Sequence, residues 1–282
     1  MTTLEAIILG IIQGLTEFLP ISSTGHLTLY GKLSGLIDAQ FPEKWTSFIA
    51  VIQIGTLIAV LIYFWRDLLS IAHDFFKENL FERKAIKAQS QNSKMGWYLI
   101  IATIPVAVIG LLFKDFIEGV FTKNLMVIAF SLIGLALILA IAERLGKFSR
   151  KITDIKWYDA LIIGIAQAIS LIPGSSRSGT TITAGLFLGL DRETAARFSF
   201  LMSIPAVAAS GLLQFYESLS YINLDGLIAM IISTFVSAVV GYLSIEYLLK
   251  YLRKKSTFIF IYYRVGVGIF VLILLYLNII NS

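Results

Sequence analysis

Two short runs carry residue types that can do chemistry together. Gln13 and Glu17 stand four apart and so share one face of a helix. Pro20 ends that helix, and Ser22, Ser23, Thr24, Gly25 and His26 follow directly. A carboxylate, a set of hydroxyls and an imidazole thus fall close together along the chain. The second run, Pro173-Gly174-Ser175-Ser176-Arg177-Ser178-Gly179-Thr180-Thr181, sets hydroxyls, glycines and one arginine inside apolar sequence. Such groups are costly in apolar surroundings unless they find partners. Their chemistry fits an anion, phosphate above all. Glycines let backbone N–H groups approach, hydroxyls donate, and the guanidinium offers a planar fork. The plain alternative is a Ser/Gly-rich turn between helices, with Glu17 a structural partner of Arg177 and His26 simply hydrogen-bonded.

Roles can be assigned on those types. Glu17, with Gln13 beside it, can hold a divalent cation, or Glu17 can orient or deprotonate a nucleophile. His26 can act as general base, general acid or nucleophile. Ser23 is the favoured nucleophile, with His26 as its base, while attack by His26 or by water stays open. Arg177 can stabilise charge on a transferring phosphoryl group. Ser22, Thr24, Gly174, Ser175, Ser176, Ser178 and Thr181 are the expected substrate-binding positions around them.

The elements that must position these residues are membrane elements. The chain has 282 residues, 57% of them hydrophobic, and a mean hydropathy of +0.83. That composition belongs to integral membrane proteins. With no cysteine, neither a disulfide framework nor a thiolate metal site is available. The net charge of +5 does not indicate nucleic-acid binding, because the basic residues collect in a few loops between apolar segments. The N-terminus lacks a basic region and a small-residue cleavage site, so no removable signal peptide is expected.

Six segments approach the length of a bilayer span: about Ser47–Trp65, Gly96–Phe113, Asn124–Ala142, Phe198–Tyr216, Leu224–Leu249 and Phe258–Leu277. Two more apolar stretches, Leu4–Leu36 and Tyr158–Leu190, are broken in the middle by the polar runs. Their halves suit re-entrant hairpins better than full spans. The basic loops Arg66–Lys94, Arg144–Lys156 and Lys250–Lys255 are expected in the cytoplasm. Loops Lys32–Lys44, Lys114–Lys123 and Glu217–Asp225 are then outside, with both termini. His73 reads as a surface histidine, and Arg192 and Arg197 as the cytoplasmic end of the second hairpin.

An internal repeat supports that layout. A shift of 154 residues pairs Gly10 with Gly164, Gln13 with Gln167, Ser22 with Ser176, Gly25 with Gly179, Gly31 with Gly185 and Gly35 with Gly189. A related shift pairs Ile101, Thr103, Ala107 and Gly110 with Ile232, Thr234, Ala238 and Gly241. The reading is a single membrane domain over 1–282, with repeat one about 1–145 and repeat two about 155–282. Each repeat holds one hairpin and three spans, so the second enters from the opposite face. The fold class is an all-α integral membrane protein with an inverted-topology repeat, whose hairpin tips meet in one site. The Gly-xxx-Gly spacings serve close helix packing and can support a homodimer.

The motifs resemble the signature of the bacterial undecaprenyl-pyrophosphate phosphatase family, also called bacitracin-resistance proteins. The residues that carry it are Gln13-xxx-Glu17, Pro20-Ile21-Ser22-Ser23-Thr24-Gly25-His26 and Pro173 to Thr181. The resemblance implies hydrolysis of a polyprenyl pyrophosphate, undecaprenyl pyrophosphate, to the monophosphate and phosphate, recycling the lipid carrier of cell-wall polymers. It further implies a bacterial plasma-membrane location, a site opening outward, and a divalent cation such as magnesium or calcium. Where many relatives carry a glutamate this chain has Gln13, which argues against a two-carboxylate metal site. The competing classes are an inverted-repeat transporter or lipid flippase, and a lipid-binding protein without catalysis. Neither needs a nucleophile.

Overall fold

The structure is a computed structural model that describes residues 1–38 and 40–280. The first part of the chain forms helices α1 (Thr3–Phe18), α2 (Ser23–Leu33), α3 (Pro42–Tyr63), α4 (Trp65–Phe76), α5 (Gln91–Leu112), α6 (Lys114–Glu118) and α7 (Leu125–Leu145). The second forms α8 (Trp157–Ile169), α9 (Arg177–Phe187), α10 (Arg192–Ser218), α11 (Leu224–Leu252) and α12 (Phe258–Tyr276). Among the described residues six helices are long and apolar enough to cross a bilayer, namely α3, α5, α7, α10, α11 and α12. Exposed Leu112, Phe130, Phe235 and Tyr262 give them the apolar outer surface that lipid requires. The protein is an all-α integral membrane protein.

The six spans lie where the sequence places them, but α3, α5 and α10 start five or six residues earlier, at Pro42, Gln91 and Arg192. Helix α5 starts at Gln91 rather than near Gly96, because Ser90 caps it by accepting from the Ser93 N–H. The stretch after Arg66 is not all loop. Leu68, Leu69, Ile71, Phe75 and Phe76 recur at helical spacing, and α4 forms there with no residue fully buried. The density of charge in that stretch hides this pattern in the sequence.

The two broken stretches fold as short helix pairs, α1–α2 and α8–α9. Thr2 caps α1 in a reciprocal box with Glu5. At the other end Leu19, preceding Pro20, is forced into extended backbone and the helix stops. Helices α2 and α9 then begin in the same way. Ser22 and Ser176 sit at φ 77° and 68°, unusual for a side-chain-bearing residue. Each accepts from an N–H three residues on, Gly25 and Gly179, at 3.2 and 3.1 Å. These are repeat-related positions. So are Gly35 and Gly189, which take positive φ to end α2 and α9.

The repeat also appears where helices cross. Helix α1 packs on α11, and α8 packs on α5. A Cβ placed on Gly10 would meet the Ser233 carbonyl oxygen at 2.7 Å. A Cβ on Gly164 would meet the Ala102 carbonyl oxygen at 2.5 Å. Gly10 pairs with Gly164 under one shift, and Ala102 with Ser233 under the other. The equivalent contact is therefore made twice, each time between halves. Gly14 packs on α11 as well, Gly31 on Trp45 and Gly185 on Ala195, so these small residues serve packing within one chain.

Gly164→Leu is expected to be destabilising by about 1–3 kcal/mol or more, since backbone stands where the side chain must go. Thermal melts of detergent-solubilised protein would read this against Gly134→Ala, where a Cβ meets nothing within 4 Å. Equal melting of the two variants would show that the α5–α8 crossing is loose.

Candidate active site

The tips of the two helix pairs meet. Ser178 Oγ, at the start of α9, donates to the Leu19 carbonyl at 3.0 Å. Beside this junction lies a cavity of about 460 Å³. Glu17, Ser23, Thr24, Gln167, Ser176 and Arg177 line its polar end. Val106, Leu111, Ile117, Leu171 and Leu213 line the rest, which is largely apolar and runs between α5 and α10. Lys114 and Lys123 stand on the same lining, Lys114 in an ion pair with Glu217.

Glu17 is the hub of the polar end. Its Oε1 accepts from Arg177 Nη2 at 2.8 Å. Its Oε2 accepts from Ser23 Oγ at 2.8 Å and from Gln13 Nε2 at 3.0 Å. Glu17 is buried, so these bonds form in a low-dielectric setting where they are strong. Arg177 also donates from Nη1 to the Ser199 carbonyl at 3.1 Å. Two of its five N–H donors are thus used, and three remain for a ligand. Thr181 Oγ1 shares a 2.7 Å bond with Ser199 Oγ and so braces that carbonyl's residue.

Three features of the backbone and side chains around the cavity mark a ligand site, the first of them one for an anion. The N-termini of α2 and α9 both start at the polar end, at Ser23 and Arg177, and helix N-termini carry free N–H groups and positive potential. The buried amide of Gln167 has neither oxygen nor nitrogen paired, and Ser175 Oγ and Gln13 Oε1 are also buried without a protein partner. Orphaned polar atoms gathered near one cavity mark where a ligand or solvent completes the bonding. The positive-φ turns at Ser22 and Ser176 immediately precede Ser23 and Arg177, the expected place for stored strain.

Glu17, Ser23, Thr24, Ser176 and Arg177, all marked by the sequence, line the cavity. Gln13, Ser22, Ser178 and Thr181 stand behind them as supports, with Ser22 Oγ bonded to Thr24 Oγ1 and Ser176 Oγ to Ser178 Oγ. Gly174 takes φ 84° in the turn before α9, and Ser175 is buried beside it. His26 is not brought to the cavity lining. Its Nδ1 lies 2.7 Å from the Ser22 carbonyl oxygen and therefore carries the proton. Its Nε2 accepts from Tyr263 O–H at 2.9 Å. His73 lies exposed beside Asp74, and Arg192 and Arg197 pair with Glu143 and Asp67. The partner of Ser23 at hydrogen-bond distance is Glu17, not His26.

Arg264 is absent from the sequence reading and central to the site. It is 1% exposed in the middle of α12. Its Nη2 donates to the Ser175 carbonyl at 3.0 Å, with the Gly174 and Ser131 carbonyls at 3.5 and 3.4 Å. Its Nη1 reaches the Pro20 carbonyl at 3.5 Å. One guanidinium therefore holds both tips. A charged residue inside an apolar span was the available signal.

A divalent cation has a set of oxygens to meet. Glu17 offers one carboxylate, and the unpaired Oε1 of Gln13 lies one turn before it on α1. No cluster of three or more His, Cys, Asp or Glu side chains that could hold a metal occurs among the described residues. The donors fit a magnesium-like ion taking one carboxylate and completing its shell with phosphate oxygens and water.

The sequence profile of bacitracin resistance protein BacA matches residues 6–270. Proteins called undecaprenyl-diphosphatase are similar over nearly the whole chain. The one from Syntrophobacter fumaroxidans is 56% identical over 268 residues, 95% of each chain. Those from Chlorobium phaeovibrioides and Chloroherpeton thalassium are 51% and 49% identical over 284 residues each, covering 98% of this chain and 98% and 97% of theirs. With a profile match that takes in both hairpin tips and relatives this similar from end to end, the chain belongs to the bacitracin resistance protein BacA family.

Proposed function

We propose that this protein hydrolyses undecaprenyl diphosphate to undecaprenyl phosphate and inorganic phosphate. The observation that carries the reading is the Ser23–Glu17–Arg177 arrangement, a hydroxyl and a guanidinium on one buried carboxylate at the end of an apolar cavity. A prenyl chain fits the wall between α5 and α10, and the diphosphate fits the polar end. The related proteins named undecaprenyl-diphosphatase support the same substrate. Transport alone would leave a bonded hydroxyl–carboxylate pair without a task.

In the mechanism, Arg177 and the N-termini of α2 and α9 bind the two phosphate groups and orient the terminal phosphorus toward Ser23. Ser23 Oγ attacks that phosphorus, and its proton passes to Glu17 Oε2. The bond from phosphorus to the bridging oxygen breaks, and undecaprenyl phosphate leaves with that oxygen's electron pair. Water then attacks the phosphoserine phosphorus, the bond from phosphorus to Ser23 Oγ breaks, Ser23 Oγ takes back the proton from Glu17 Oε2, and phosphate leaves with the two protons of the water. Charge on the equatorial oxygens is spread in the transition state, where Arg177 stabilises it. A divalent cation held by Glu17 and Gln13 would add charge neutralisation on the phosphate oxygens. His26, with Tyr263, fixes the turn that presents Ser23.

Lys114 and Lys123 put the cavity mouth beside the loops poorest in basic residues, which supports an opening on the outer face of the bacterial plasma membrane. A cysteine introduced at Ser282, which lies outside the described residues, is expected to label from outside, and one at exposed Ala88, beside the buried Gln89, from inside. Labelling of both from one side would overturn this topology.

The function is tested by phosphate release from undecaprenyl diphosphate in detergent, where transport has no meaning. Release is expected, and quenched single turnovers should trap phosphate on Ser23. A protein that moves the lipid across vesicles but releases no phosphate would be a transporter. Single-step oxygen-18 transfer from water with inversion, and no trapped serine, would replace Ser23 by water. Glu17→Gln is expected to lose most activity; if Glu17 also binds the cation, raised magnesium should recover part of it, and Gln13→Ala is milder. Unchanged activity and metal dependence in Glu17→Gln would remove Glu17 from the reaction.

A further inference from the structure

A second cleft lies at the far end of the α5–α8 pair. The active cavity uses α5 from Thr103 onward and α8 at Gln167. The second cleft uses the starts of the same helices, at Gln91, Lys94 and Tyr98 on one and Tyr158 on the other. Twelve residues of α5 separate Gln91 from Thr103, or roughly 18 Å. The two sites therefore share helices but no lining residue.

The composition of this cleft is that of an anion site. Lys87, Lys94, Arg150 and Lys156 line it against a single acid, Asp154. Arg150 is already neutralised by buried Asp159. Asp154 turns its carboxylate onto the Lys151 backbone N–H at 2.8 Å. Lys94 Nζ meets only the Lys87 carbonyl, at 3.3 Å. Among the described residues no carboxylate pairs with Lys87, Lys94 or Lys156. The Nε2 of Gln91 is buried on this lining and has no hydrogen-bond partner. An orphaned buried donor among unpaired lysines points to a missing acceptor. The N-termini of α5 and α8 start on the same lining, so their dipoles add to the positive potential.

The surroundings identify the acceptor's carrier. Trp157 and Tyr158 are exposed beside the cleft, and Ile162, Ile165 and Ile169 continue along α8 as an exposed apolar strip. An aromatic pair above an apolar strip is how a helix meets the headgroup level of a bilayer. We propose that this cleft binds the phosphate headgroup of an anionic membrane phospholipid, with an acyl chain lying along α8. Lys87, Lys94, Lys156 and Gln91 supply the donors. Basic pockets between membrane helices on the cytoplasmic side hold headgroups in this manner. The proposal does not depend on the phosphatase reading, since none of these residues touches the active cavity.

The test uses full-length protein stripped of lipid and returned to nanodiscs of phosphatidylcholine with a small fraction of phosphatidylglycerol, whose retention is read by native mass spectrometry. Wild-type protein is expected to retain phosphatidylglycerol over phosphatidylcholine, less so at high salt. Lys87→Ala/Lys94→Ala/Lys156→Ala should weaken retention on the order of 100-fold, about fivefold for each lysine removed near the membrane surface. The control Lys147→Ala/Lys254→Ala/Lys255→Ala removes as many charges from exposed loop positions and should change little. Gln91→Leu alone should also weaken retention, and it keeps every charge. Phosphate release in detergent is expected to stay at the wild-type rate in all these variants. Equal retention of the two lipids, or equal losses in the two triple variants, would overturn the proposal. Complete displacement of the lipid by millimolar inorganic phosphate would assign the cleft to free phosphate instead.

Discussion

Arg177→Lys is expected to fold and to bind substrate, and to lose turnover by roughly 100-fold or more, the range found when one electrostatic stabiliser is removed. Lysine keeps the charge but not the fork. Arg177 uses one terminal nitrogen on Glu17 and the other on the Ser199 carbonyl, and still has three N–H groups for phosphate. An ammonium has three donors in all and cannot make both protein bonds and also span two phosphate oxygens. Arg177→Ala should be slower still. The pair with Glu17 is 13% and 6% exposed, so removing the arginine also leaves a buried carboxylate without its cation. That part of the loss costs about 3–5 kcal/mol of stability and is separable from catalysis. If Arg177 only ties the hairpins, Glu17→Ala should restore the melting temperature of Arg177→Ala. Steady-state kinetics and melts on the two single variants and the double variant decide. A well-folded Arg177→Ala protein with near-normal turnover would remove the residue from both tasks.

Arg264→Met is expected to bring the second-largest loss, and through a different route. Arg264 touches neither the cavity nor the phosphates. It faces the carbonyls of Pro20 and Ser131 and of Gly174 and Ser175, and so joins both tips to α7 and α12. Methionine fills the space and leaves those carbonyls bare, at about 1–3 kcal/mol for each one that stays buried and unsatisfied. Ser23 and Arg177 then lose the register that the tips impose. A misplacement of about 1 Å can cost roughly 100-fold in rate. The expected signature is a fall in kcat with little change in KM, measured well below the variant's melting temperature. A residue of purely structural importance would lower the melting temperature and leave kcat of the folded fraction intact. Arg264→Lys should fall between the two, because one ammonium reaches the carbonyls of one tip and not of both.

Much of this protein is written in local sequence. The six spans follow from apolar length, and the breaks in the two hairpins follow from Pro20 and from the Pro173–Thr181 run. The repeat was visible because glycines and caps recur at one shift, and each of these has a local cause. Ser22 and Ser176 cap their helices through the N–H three residues on, and Gly35 and Gly189 end theirs at positive φ. Glu17 and Arg177 were found by the same logic, since a charge in apolar sequence needs a partner.

What local sequence did not decide is which groups meet. His26 stands three residues after Ser23, close enough along the chain to be read as its base. Yet α2 turns the imidazole to Tyr263, a residue 237 positions away. Ser23 instead faces Glu17, six residues back across the Pro20 turn. The gap between α5 and α10, the Ser199 carbonyl under Arg177 and the grip of Arg264 on both tips likewise come from elements distant in the chain. Helical period fixes which side chains share a face, but not which way that face looks. In this protein that direction is set by crossings such as Gly10 on Ser233 and Gly164 on Ala102, where backbones touch and only one relative placement of the halves fits.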